Sequence, residues 1–184
     1  LKPGEILRTE DLIAIMLIES SNDAATALTE FIGEEPFVHL MNLKAREINM
    51  EESLFFNPTG LDPDDLKRPA YQVNYSTTND LVKLVKYALE KYPLIFDFLS
   101  RREYVLELEN GSLHHILRNT NQLLWKVTGI IGGKTGLTER AGECLVVVLK
   151  GSRPNNYLVN VILYSQNRFE DMQRLIECSN QSNQ

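Results

Sequence analysis

The sequence predicts an α+β fold: a helical cluster plus an antiparallel sheet covered by helices, with one helix closing the chain. Three observations carry that reading. Apolar residues recur at helical spacing as far as Leu99, the period switches from 3.6 to 2 at residue 103, and a helical pattern returns after Asn167. One domain over residues 1–184 suits the length. With 19 Lys and Arg against 25 Asp and Glu, the net charge is −6, which excludes a phosphate-tracking nucleic-acid binder. At 43% apolar and 24% charged residues the composition is neither disordered nor fibrous. The longest apolar run, Leu12 to Ile18, falls far short of the ~20 residues that span a bilayer.

Lys2-Pro3-Gly4-Glu5 reads as a turn and Thr9 as the N-cap of a first helix, with Glu10 and Asp11 in its opening turn. The run that follows is apolar all round, so this helix is expected to be buried on every side. Glu19-Ser20-Ser21-Asn22-Asp23 interrupts it. A second helix then places Ala24, Ala25, Leu28, Phe31 and Ile32 on one side and stops near Gly33. A third is expected from Pro36 to Asn49, on Phe37, Leu40, Met41, Ala45 and Ile48. Asn57 to Pro63 is dense turn chemistry. Ser76 is expected to cap a fourth helix carrying Leu81, Val82, Leu84, Val85, Ala88 and Leu89, and Pro93 to open a shorter one ending near Leu99.

Tyr104 to Leu108, a turn at Asn110-Gly111, and Leu113 to Leu117 read as a hairpin. Three further strands, Ile130 to Thr138, Cys144 to Leu149 and Tyr157 to Tyr164, extend it into a meander, the last two joined by a turn at Gly151 to Asn155. Asn167 begins a final helix with Phe169, Met172, Leu175 and Ile176. The chain opens on Leu1 and closes on the polar stretch Ser179 to Gln184, the pattern expected of a segment of a longer protein. Cys144 reads as a small buried hydrophobe, and the two cysteines make neither a disulfide framework nor a metal site. His39, His114 and His115 lack metal-ligand spacing, so metal ligation is not expected of them.

Three stretches stand out chemically. Ser20-Ser21-Asn22 places small polar side chains where a buried helix stops, and such groups need partners or a cleft. Gly132-Gly133-Lys134-Thr135-Gly136 puts glycines inside a strand, which marks a bulge or the close approach of a ligand or another backbone. A Lys and a Thr there could set a cation and a hydroxyl beside a ligand on the strand edge. A phosphate loop ending at Thr135 would need glycine where Thr128 stands, and a helix rather than a strand afterwards, so nucleotide binding is rejected. Asn119-Thr120-Asn121 reads as a turn with Asx-type backbone bonds.

Together these stretches resemble the serine D-alanyl-D-alanine carboxypeptidases, the low-molecular-weight penicillin-binding proteins related to class A β-lactamases. Their motifs are S-x-x-K, S-x-N and K-T-G. Ser20-x-Asn22 and Lys134-Thr135-Gly136 match the last two in order and spacing. Leu1 to Glu5, Phe56 to Leu61, Tyr75-Ser76-Thr77 and Asn119 to Asn121 match supporting stretches. The resemblance implies a β-lactamase/transpeptidase-like fold, here without its early strands and nucleophile helix, because no serine is followed three residues on by lysine. It implies that Ser20 relays a proton to the leaving nitrogen and that Asn22 holds the substrate amide. Lys134 and Thr135 would receive the terminal carboxylate, Gly136 would admit the substrate backbone, and the Leu137 N–H would donate to the oxyanion. The implied partners are peptidoglycan D-Ala-D-Ala peptides, with β-lactam antibiotics as inhibitors, in the cell envelope. Membrane association would come only from segments outside this chain. The resemblance implies no metal or cofactor, and the chain alone is expected to be inactive. A binding module without turnover and a serine β-lactamase are the alternatives, although Glu51 and Glu52 do not occupy a convincing β-lactamase loop.

Overall fold

Helices give way to strands at residue 103, where the hydrophobic period changes. The computed structural model describes residues 1–2, 4–153 and 156–181. Its elements are α1 Thr9–Ile18, α2 Asn22–Thr29, α3 Glu34–Glu47, α4 Thr78–Lys91, α5 Leu94–Leu99, β1 Glu103–Glu107, β2 Leu113–Arg118, β3 Ile130–Thr138, β4 Gly142–Lys150, β5 Tyr157–Ser165 and α6 Arg168–Gln181. Parts of two expected turns, at Pro3 and at Pro154 and Asn155, lie outside the described residues, as do residues 182–184 of the polar tail.

Two helix caps differ from expectation. The cap of α1 is Arg8, not Thr9: the Asp11 carboxylate accepts the Arg8 backbone N–H at 3.3 Å and its guanidinium at 2.8 and 2.9 Å. That ion pair lets Asp11 be buried and holds its carboxyl below the usual range. At α4 the cap is Thr77, whose Oγ1 accepts the Asp80 N–H at 3.2 Å, while Ser76 bonds Ser53 at 2.7 Å. The second helix also ends early. Gly33 N–H closes on Thr29 O at 2.7 Å, so Phe31 and Ile32 lie past the end of α2, and Phe31 is 95% exposed. Leu40 is likewise exposed on α3.

The expected single meander is two sheets, the hairpin β1–β2 and the antiparallel sheet β3–β4–β5. They part because Leu106 and Leu117 of the hairpin pack on Ala14, Ile15 and Ile18 of α1, not beside β3. In the larger sheet the central strand is buried on both faces. Leu145, Val147 and Leu149 pack with Met172 and Ile176 of α6, whereas Val148 meets Phe96 and Leu99 of α5. Alternating residues of one strand thus join two apolar cores, as the pleat requires. This leaves β3 as an edge strand facing the α1–α2 turn.

Candidate active site

A cleft of about 590 Å³ lies between that turn and the edge of β3. One wall begins where α1 runs out of apolar residues. Glu19 closes the helix, and Ser20 takes a left-handed φ of +60°, which reverses the chain. Ser21 then caps α2, its Oγ accepting the Ala24 N–H at 3.3 Å, and Asn22 is the first helical residue, exposed to the cleft. Ser20, Ser21 and Asn22 all border the space. What separates the two serines is that Ser21's hydroxyl is occupied by the cap.

The opposite wall is residues 134 to 138 of β3. Of the strand glycines, Gly132 and Gly133 serve packing rather than ligand approach. A Cβ on Gly132 would stand 2.8 Å from Phe96 Cδ1, and one on Gly133 2.7 Å from both Asn121 Nδ2 and Val146 O. Room for α5 and for the Asn119–Asn121 turn sets both positions. In that turn the expected Asx bonds are present, Asn119 Oδ1 accepting Asn121 N–H at 2.8 Å and Asn121 Oδ1 accepting Leu123 N–H at 3.2 Å. Gly136, by contrast, is exposed in the cleft, where a Cβ would make only an ordinary contact with Cys144. Cys144 is half-buried at the cleft margin rather than buried, and no disulfide joins it to Cys178.

The walls are bridged by one side chain. Lys134 Nζ donates to Ser20 Oγ at 2.5 Å and to Thr135 O at 2.8 Å. Burial, and then the nearby Arg168 charge, push the Lys134 ammonium down to about 8. Such a group can hold an anion at neutral pH or exchange a proton close to it. Thr135 Oγ1 shares a 2.6 Å hydrogen bond with Thr120 Oγ1, which fixes that hydroxyl under the lysine. Leu137, next along the edge, is 63% exposed. The structure thus brings Ser20, Asn22, Lys134, Thr135, Gly136 and Leu137 to one cleft.

Two contributors escaped sequence reasoning, and the part played by a third, Thr120, was not read from its turn. Arg168, at the start of α6, donates from Nη1 to Gly136 O at 2.7 Å and brings a second cation to the cleft. A basic residue in the first turn of a helix opposes the macrodipole, and that local misfit was the readable signal. Asp62 is buried and accepts Thr138 Oγ1 and the Arg140 N–H, both at 3.1 Å, tying the Asn57–Pro63 loop to the end of β3. Thr120 had no sequence signal beyond its turn. None of the three histidines lines the cleft, and among the described residues no group of three or more His, Cys, Asp or Glu is placed to hold a metal. No described helix is long and apolar enough to cross a membrane.

Comparison with known proteins converges on one family. The family profile of D-alanyl-D-alanine carboxypeptidases matches residues 1–167. The chain is 37% identical over 152 residues to the D-alanyl-D-alanine carboxypeptidase DacF of Bacillus subtilis, covering 82% of this chain and 36% of that protein. It is 33% identical over 176 residues to a D-alanyl-D-alanine endopeptidase of Escherichia coli, covering 94% and 53%. Against the curated relatives it matches, the chain thus spans between about a third and a half of their length. Among solved structures, an ampicillin-bound penicillin-binding protein of Listeria monocytogenes superposes with a TM-score of 0.79 at 28% identity, over 93% of this chain and 66% of that one. A Streptomyces DD-transpeptidase variant reaches 0.80 at 25% identity, over 96% and 69%. With the mixed α+β architecture and the K-T-G edge strand both in place, the chain belongs to the D-alanyl-D-alanine carboxypeptidase family, serine peptidases of the penicillin-binding protein class.

Proposed function

We propose that this chain supplies the substrate-holding half of a D-alanyl-D-alanine carboxypeptidase acting on peptidoglycan stem peptides in the cell envelope, with β-lactams as inhibitors. The observation that carries the reading is the Lys134–Ser20 bridge across a cleft floored by an edge strand. A peptide laid along that edge presents its terminal carboxylate to Lys134, Thr135 and Arg168. Ser20, already hydrogen-bonded to the lysine, is placed to pass a proton toward the leaving amine, and Asn22 to hold the substrate amide. The acyl-enzyme itself needs a base-activated serine, and no S-x-x-K occurs in the 184 residues. The nucleophile is therefore assigned to a segment outside this sequence.

A second reading follows from that same missing motif: a binding module that holds D-Ala-D-Ala ends without turning them over. Labelled penicillin separates the two. The isolated chain is expected to remain unlabelled, and a longer protein joining this chain to an S-x-x-K segment is expected to be acylated. Failure of that longer protein to label selects the binding module. Stoichiometric labelling of a serine within the 184 residues would falsify both. Lys134→Ala in the acylating protein is expected to slow reaction with D-Ala-D-Ala substrates about tenfold or more, through loss of a charge-assisted contact.

A further inference from the structure

Thr120 and Thr135 come from different elements and meet at the cleft with their Oγ1 atoms 2.6 Å apart. Two touching hydroxyls carry two protons, and only one of these can lie between the oxygens. Among the described residues neither oxygen has a further hydrogen-bond partner, so one O–H is left over for a ligand. Two arrangements share this geometry. If Thr135 donates to Thr120, the spare proton belongs to Thr120, and Thr135 offers a ligand only lone pairs. If Thr120 donates to Thr135, the spare proton is on Thr135.

A bound anion decides between them. Lys134 Nζ is held by Ser20 Oγ and Thr135 O, so its positive charge sits beside residue 135. A carboxylate drawn to that charge accepts a proton from Thr135 only in the second arrangement. The Thr120 O–H then occupies a Thr135 lone pair, and each bond polarises the next. Thr120 can hold this direction because its backbone is pinned. Its N–H donates to Ile18 O at 3.1 Å, two residues before Ser20, and a buried asparagine stands on either side. Asn119 Nδ2 donates to Arg101 O at 2.9 Å, and its Oδ1 accepts the Asn121 N–H at 2.8 Å. Thr120 thus touches both walls, α1 through its backbone and β3 through its hydroxyl.

We propose that Thr120 is a positioning residue for carboxylate recognition: its hydroxyl donates to Thr135 and so turns the Thr135 O–H toward the terminal carboxylate of a bound peptide. The inference rests on the substrate reading above and adds a residue that acts through Thr135 alone. Calorimetric titration of the chain with acetyl-D-Ala-D-Ala and with its C-terminal amide tests it. The unaltered chain is expected to bind the acid more tightly than the amide. Thr120→Val keeps the side chain's shape and removes its hydroxyl. It is expected to weaken binding of the acid about five- to tenfold and to leave the amide nearly unchanged, with Thr120→Ser restoring the preference. Added to Thr135→Val, Thr120→Val is expected to cost nothing more. A role in folding alone would weaken both peptides alike and would add to the Thr135→Val loss. If Thr120→Val keeps the preference for the acid, if Thr120→Ser fails to restore it, or if the two valine substitutions add, the positioning role is overturned and the substrate reading stands. If the unaltered chain does not prefer the acid, the substrate reading fails and the positioning role with it. Should Thr120→Val not fold, Thr120→Ala is the hydroxyl-free variant, judged by the same ratio of acid to amide affinity.

Discussion

Two polar turns border the same cleft and are built in opposite ways. In the Asn57 loop each polar group is answered from within. Asn57, 1% exposed, accepts Thr59 N–H, Thr59 Oγ1 and Gly60 N–H at Oδ1 and donates to Leu61 O, while Asn74 accepts the N–H groups of Phe56 and Asn57. In the Ser20–Asn22 turn the backbone is left-handed at Ser20, and among the described residues the Ser20 hydroxyl finds its partner across the cleft, at Lys134. Buried polar groups with internal partners hold a loop's shape. Exposed ones kept at a backbone cost are available for chemistry.

That contrast breaks first, and most widely, on a pair of alanine substitutions. In an acylating protein containing this chain, Ser20→Ala is expected to lower turnover by a factor on the order of 10²–10⁴ with folding intact, the range for a positioned proton-transfer group. Asn57→Ala should do the reverse, costing about 3 kcal/mol of stability because several buried backbone donors lose their acceptor. Steady-state kinetics and urea melts on both variants check this, and a Ser20→Ala protein that loses stability but retains its rate would make the first turn structural as well.

Smaller changes sharpen the difference inside the first turn. Ser20→Gly relieves the left-handed backbone and is expected to stabilise the chain by about 0.5–1 kcal/mol. Ser21→Ala removes a cap and is expected to cost about 1 kcal/mol without altering chemistry. Opposite signs at adjacent serines, read from denaturant midpoints, are the signature; equal signs would refute the division of roles.

A separate effect concerns pH. Below about pH 8 Lys134 is charged in the folded and the unfolded chain alike. Between about 8 and its ordinary value of 10.5 the unfolded chain keeps a proton that the folded chain has lost, so stability rises with pH across this window. Lys134→Met should flatten that rise. Over the same range, affinity for a carboxylate ligand is expected to fall as the cation disappears, and calorimetric titration at pH 7 and pH 9.5 reads it.

Periodicity alone located the helices, the hairpin and the K-T-G strand, whose bounds Ile130 to Thr138 are those observed. That Ser20-Ser21-Asn22 and Gly132 to Gly136 are unusual stretches was also legible, because a small polar triplet in a buried helix and glycines in a strand are local anomalies; joining them into one candidate site took the family resemblance. Other features had no local trace. At Gly132 and Gly133 a bulge, a ligand and another backbone stay open in the sequence, which records only that a side chain is missing; whether a ligand, Phe96 or Asn121 occupies the space depends on packing across distant elements. The hairpin's separation from the larger sheet followed from which apolar face α1 offered, not from any property of β2. Arg168 is brought to Gly136 from 32 residues away, and Asp62 to Thr138 from 76 residues away, by how the core closes. Short-range patterns encode elements and the residue types a site requires. Which partner answers each polar group, and with what change of proton affinity, is a matter of burial and distance that only the assembled fold decides.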